Sequence, residues 1–193
     1  MDLSTYATET RVARRKSNDE LEISNTNEFF TPYSIVKIMG DKVSEEKWND
    51  PNAEFLESSF GNGQFVVYII YNKIKHGSTW EQALSHTWGV ELLESNVKET
   101  HDRVIKLLHN MNIKFDESKA QEIMNHNLVC SNFFKWDFDN WCPIKENKCE
   151  ALFWIIYKQF GLDANKIIGY SEQFLNDKNI IKKLKMLKFD YII

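Results

Sequence analysis

The hydrophobic pattern divides the chain near residue 28. Residues 1–27 are polar without a clear period and read as a flexible arm. From Glu28 onward, short apolar runs alternate with amphipathic stretches. Ser34 to Met39 carries a helical pattern, with Pro32 near its first turn and Gly40 near its end. A charged segment closes on the turn signal Asn49-Asp50-Pro51-Asn52, and Ala53 to Glu57 then reads as a short buried strand.

The run Phe65 to Tyr71 is β-branched enough for a strand, and its period does not decide. Its continuation through Lys73 and Lys75 to Gly77 puts cations in a last turn and glycine after it, which favours a buried helix. Ser78-Thr79-Trp80-Glu81 fits a capping box and opens a helix through Ala83 and Leu84. Thr87 to Leu92 reads as a second strand. Ser95 is placed to cap a helix with Val97, Val104 and Leu108 on one face. A short helix is expected over 117–125 and a third strand over Asn127 to Ser131. Between 132 and about 170 the aromatic residues are read as core in preference to a base-stacking platform. A polar helix over 172–186 precedes a last strand, Phe189 to Ile193. Strands alternating with helices at this spacing predict an α/β fold with a parallel sheet.

Composition narrows the function classes. A net charge of -4 and a pI near 5.8 give no overall nucleic-acid footprint. The local cluster Arg11, Arg14, Arg15 and Lys16 reads as a solvated arm, with contact to a phosphate backbone as the alternative. The first residues do not resemble a signal peptide, and the seven-residue run Phe65 to Tyr71 is far too short to cross a bilayer, so no membrane partner is expected. Cys130, Cys142 and Cys149 are odd in number and form no C-x-x-C pair, which suggests reduced thiols in a cytoplasmic protein. The scattered histidines offer no second ligand pair, and no metal site is expected.

In an open parallel sheet, ligands bind beyond the carboxyl ends of the strands. The loop Ser58-Ser59-Phe60-Gly61-Asn62-Gly63 after the first strand is therefore the place to look. Gly61 and Gly63 there would let backbone approach a ligand, and the next helix offers free N–H groups. Glu91 ends the second strand, where a carboxylate can accept both hydroxyls of a ribose. Ser131 and Asn132 end the third and could hydrogen-bond a purine. A G-x-G alone serves as well for a tight turn with no ligand; the order and spacing of the three features favour a ligand site. There is no longer G-x-G-x-x-G and no G-K-[ST] phosphate loop. A nucleoside ligand without a pyrophosphate clamp fits, and S-adenosylmethionine is one.

These blocks resemble a known family. Phe29-Phe30-Thr31-Pro32 is similar to the F-x-T-P segment of N6-adenine DNA methyltransferases of the gamma arrangement. Phe55 to Phe65 resembles their D-P-x-x-G-x-G-x-F motif around the methionine end of the cofactor. Trp88-Gly89-Val90-Glu91-Leu92 resembles G-x-E-hydrophobic, whose acid holds the ribose. Asn132-Phe133 falls where the family carries Asp and an apolar residue against adenine. Phe189-Asp190-Tyr191-Ile192-Ile193 resembles the strand leading into Asn-Pro-Pro-Tyr. Glu57-Ser58 stands in place of Asp-Pro, and Asn132 in place of Asp.

The resemblance implies a Rossmann-like class I methyltransferase domain over 28–193, with a partial parallel sheet in the order 3-2-1-4. It also implies a S-adenosylmethionine site at Phe30, Thr31, Pro32, Glu57, Ser59, Gly61, Gly63, Glu91, Leu92, Asn132 and Phe133. DNA would be the substrate, reached through a missing or separate C-terminal part. The motif that grips a flipped adenine, Asn-Pro-Pro-Tyr, does not occur; the prolines are Pro32, Pro51 and Pro143. No catalytic residue is assigned, and the chain is expected to be inactive alone or one half of a split enzyme. A non-catalytic interaction module is the alternative. A partner subunit or self-association is expected at the C-terminal strand, which would present an apolar edge.

Overall fold

The computed structural model describes Asp2, Leu3, Tyr6, residues 31–144, Tyr191 and Ile192. They fall into two compact units. One contains the residues up to Cys130 together with Tyr191 and Ile192; the other begins at Ser131.

The first unit is mixed α/β with a parallel sheet and flanking helices. Strand β1 (Phe55–Glu57) is buried along its whole length, as expected for a strand covered on both faces. It pairs in parallel with β2 (Thr87–Glu91), Phe55 opposite Thr87 and Glu57 opposite Gly89. β2 pairs in parallel with β3 (Leu128–Cys130), Glu91 opposite Cys130. Tyr191–Ile192 lies parallel to β1 on its other side, Phe55 opposite Tyr191. All of these strands carry their carboxyl ends to one edge, and that edge holds Glu57 and Glu91.

Helices α1 (Tyr33–Gly40) and α2 (Glu45–Asn49) precede β1. The β-branched run is helical: α3 spans Gln64–Lys75, with Val66, Val67, Ile69 and Ile70 buried. Its ending explains why periodicity alone was not enough. Ser78 N–H donates to Lys73 O at 3.0 Å and Gly77 N–H to Ile74 O at 3.1 Å, a Schellman closure that uses the positive φ of Gly77. Lys73 itself is fully buried. Its ammonium donates to Ala53 O at 2.8 Å and lies 5.3 Å from the centre of the Phe55 ring.

That closure occupies Ser78, so the next helix begins one residue later than its sequence suggests. α4 (Trp80–Ser85) is capped by Thr79, whose hydroxyl accepts from Gln82 N–H at 3.2 Å, while Gln82 Oε1 accepts from Thr79 N–H at 2.9 Å. The box is Thr79 with Gln82, not Ser78 with Glu81. Thr79→Ala is expected to lower stability by about 1 kcal/mol; an unchanged denaturation midpoint would show that the box contributes nothing.

α5 (Glu94–Asn110) also departs from expectation at its start. Ser95 lies inside the first turn and Leu93 is the cap residue, making no side-chain cap bond. Glu91 accepts the Leu93 N–H at 2.9 Å instead, so the strand end supplies the acceptor. The buried face contains the expected Val97, Val104 and Leu108, and also Thr100, His101, Arg103 and Leu107. α6 (Glu117–Asn127) is capped by Asp116, whose side chain accepts from Lys119 N–H. Leu3 and Tyr6, from the segment read as an arm, are buried in the same core, and the Tyr6 hydroxyl donates to Arg103 O. At these two positions the segment is packed, not solvated; the rest of the expected arm lies outside the described residues.

The second unit contains a 3₁₀ turn, Phe133–Lys135, and an antiparallel pair, β4 (Trp136–Asp137) with β5 (Cys142–Pro143). Asp137 builds the turn between them by accepting from Asp139 N–H and Asn140 N–H, both at 3.1 Å. Trp136 and Trp141 are buried against each other with ring centroids 5.4 Å apart, in keeping with a core role. The expected helix over 172–186 lies outside the described residues. No helix among them is long and apolar enough to cross a membrane.

Candidate functional site

Glu57 ends β1 at the carboxyl edge of the sheet and leads into the loop 58–63 before α3. It is 5% exposed. Its Oε1 accepts Ser59 N–H at 3.2 Å, whereas Oε2 is buried with no hydrogen-bond partner among the described residues. Burial pushes the carboxyl up to about 8; the Ser59 N–H works against that shift, and the Glu91 charge adds to it. At neutral pH the group is therefore predominantly protonated.

A hollow of about 70 Å³, open to solvent, lies against this carboxyl. That is less space than an ordinary small-molecule site encloses. Thr31, Glu57, Ser59 and Gly61, all chosen from the sequence, line it together with Phe60, Asn62, Gln64 and Phe65. Thr31 comes from the segment before α1 and the rest from β1, the loop and the start of α3. Two of the resembling blocks thus meet at one place.

The remaining predicted residues are placed differently. Glu91, 5% exposed, ends β2 but is not among the residues lining the hollow. Its Oε2 accepts Gly61 N–H at 2.7 Å, and its Oε1 accepts Leu93 N–H at 2.9 Å and Asn96 Nδ2 at 3.4 Å. Gly63 has φ +79°, and a Cβ there would lie 2.6 Å from Thr100 Cγ2; the close approach that glycine permits is to α5. Leu92 is 64% exposed and its carbonyl accepts from Cys130 Sγ at 3.6 Å. Pro32 is exposed at the start of α1, where its carbonyl accepts Ile35 N–H and Val36 N–H. Asn132 and Phe133 belong to the second unit. Asn132 is exposed and its carbonyl accepts Lys135 N–H at 2.8 Å, while the Phe133 ring lies 4.8 Å from that of Phe138. Phe30 lies outside the described residues.

The structure adds residues that the motifs did not single out. Thr100 Oγ1 donates to Gly61 O at 3.3 Å. Arg103, fully buried on α5, donates to Asn62 O and, at 3.2 Å, to Gln64 Oε1. A cation set within the apolar stripe Val97, Val104 and Leu107 was the available signal, because an arginine on a buried helix face needs acceptors brought to it. Here the glycine loop brings them. Comparison of the chain with protein-family models, curated proteins and solved structures gives no match.

Proposed function

We propose that this chain is a S-adenosylmethionine-binding portion of an N6-adenine DNA methyltransferase, working in the cytoplasm, with the Rossmann-like class I sheet order 3-2-1-4. In this reading Tyr191–Ile192 is the fourth strand, beside β1. The observation that carries the proposal is the convergence of Thr31, Glu57, Ser59 and Gly61 on one hollow at the carboxyl edge of a parallel sheet. Glu91, at the end of the next strand, is the acid that would take a ribose diol in this reading; its Oε2 lies 2.7 Å from Gly61 N, on the loop that lines the hollow. The cofactor's methionine end would lie against Glu57 and the loop. Transfer to an extruded adenine would need an acceptor grip that no Asn-Pro-Pro-Tyr in these 193 residues provides.

Calorimetry with S-adenosylmethionine and S-adenosylhomocysteine tests this directly. Both are expected to bind, and Glu91→Gln to weaken them by about 1–3 kcal/mol, the scale of a charged hydrogen-bond partner. The glutamine keeps one oxygen acceptor for the chain's own N–H groups, so it is preferable to alanine. Folded protein that releases no heat with either ligand would remove the proposal. That outcome would favour the second reading, a non-catalytic interaction module of methyltransferase-like fold. One observation favours that reading: both Glu91 oxygens are already used within the chain.

A further inference from the structure

Gly61 is tied on both sides of its peptide framework. Its N–H donates to Glu91 Oε2 at 2.7 Å and its carbonyl accepts from Thr100 Oγ1 at 3.3 Å. The next carbonyl, that of Asn62, accepts from Arg103, and Gly63 is pressed against the Thr100 side chain. The loop between β1 and α3 is thereby bound to the end of β2 and to the buried face of α5.

Glu91 pays for this attachment in acceptor capacity. A carboxylate offers about four acceptor positions. Gly61 N–H, Leu93 N–H and Asn96 Nδ2 take up three of them in this chain. A vicinal diol brings two donors and finds one position open. Losing the long Asn96 contact would free another position but no path to it. Glu91 is 5% exposed and absent from the lining of the hollow, and Gly61 links the two, lining the one and donating to the other. Leu93 N–H belongs to the start of α5, where a donor without an acceptor is costly. Gly61 has no side chain to extract and a φ of 51°, from which glycine has other accessible conformations. It is the group free to move.

We propose that the loop 58–63 is a latch: the Gly61 N–H fastens it to Glu91, and a ligand with a cis-diol binds in two steps, release of Gly61 followed by capture of the diol by Glu91. This rests on the nucleoside-cofactor reading given above. Thr100 is a positioning residue in this device, since it holds the latch through Gly61 O without lining the hollow.

Stopped-flow binding of S-adenosylhomocysteine, with nuclear magnetic resonance of the Gly61 amide, tests it. The observed rate is expected to reach a plateau as ligand rises. Thr100→Val should raise that plateau about 2- to 10-fold, the range for losing one neutral hydrogen bond, and Thr100→Ser, which keeps the hydroxyl, should restore it. In the wild-type protein the Gly61 amide should lose exchange protection and shift when the site is saturated. A rate that rises linearly, with the Gly61 amide unshifted in the bound protein, would overturn the latch and leave the cofactor reading intact. A plateau that Thr100→Val does not move would also overturn it. If folded protein binds neither S-adenosylmethionine nor S-adenosylhomocysteine, the cofactor reading fails and the latch with it.

Discussion

Raising the pH from 4.5 towards 8 is expected to remove about 5 kcal/mol of folding stability through Glu57 alone, and Glu57→Gln should abolish that loss. The carboxyl ordinarily titrates near 4.5, but burial raises it to about 8 in the folded protein. Across that interval the unfolded chain releases its proton while the folded chain keeps it, so the unfolded state binds fewer protons and stability falls as pH rises. Below 4.5 both states are protonated and the contribution is complete; above 8 both are ionised and the loss levels off. Each unit of separation is worth about 1.4 kcal/mol, which sets the size of the effect. Glutamine has nearly the shape of the protonated carboxyl and can still accept Ser59 N–H. The variant should match wild type near pH 4.5 and exceed it by several kcal/mol at pH 8.5. His101 acts in the opposite direction: burial lowers its pKa, so its contribution is present above the ordinary histidine range and lost as pH falls. The acid-side loss should therefore persist in Glu57→Gln. Urea denaturation of both proteins from pH 4.5 to 9 measures the two limbs, and parallel pH curves would sink the assignment to Glu57.

Elements with local signals were legible in the sequence. β1, β2, β3 and the four longer helices, α1, α3, α5 and α6, lie close to their expected places, because apolar period, terminal cations and turn residues are properties of neighbouring positions. In α3 the ending Lys73, Lys75 and Gly77 outweighs a β-branched composition. What failed was whatever depended on a distant partner. Ser95 looked like a cap, but Glu91 reaches the start of α5 first. Ser78 looked like a cap, but its N–H is used in closing α3. The Trp136–Pro143 pair carries little sequence signal because its turn rests on the Asp137 side chain and contains no glycine or proline. At the site, residue types were legible and their engagements were not. Glu57 and Glu91 are where the strand ends predict, yet nothing in a sequence tells which carboxylate keeps a buried oxygen unpartnered among the described residues and which is taken up by the chain.

Gly63 presents the same division in a form that mutation can resolve. Gly63→Ala is expected to cost about 2–5 kcal/mol, most of it unrelated to any ligand. Two separate terms contribute. Gly63 caps α3 with φ +79° and ψ +27°, a left-handed conformation that costs an L-residue about 1–2 kcal/mol. A new Cβ would also stand 2.6 Å from both Thr100 Cγ2 and Thr100 Oγ1, and Thr100 is fully buried on α5, so relief requires the loop or the helix to shift. Overpacking of this kind costs about 1–3 kcal/mol. Trimming the obstacle separates the terms. Thr100→Ala removes the two closest atoms and leaves Thr100 Cβ at 3.0 Å, so in the Gly63→Ala background it should recover most of the packing part and leave the backbone part. Thr100→Ala alone should destabilise, since it leaves Gly61 O without its hydroxyl donor and empties buried volume. The double-mutant cycle is therefore expected to show favourable coupling of about 1–3 kcal/mol. If glycine were required at 63 only so that backbone could approach a ligand, Gly63→Ala would impair ligand binding with little effect on packing, and the two substitutions would add. Additive denaturation energies would thus return Gly63 to the ligand, whereas strong coupling assigns it to the contact that seats the glycine loop on α5.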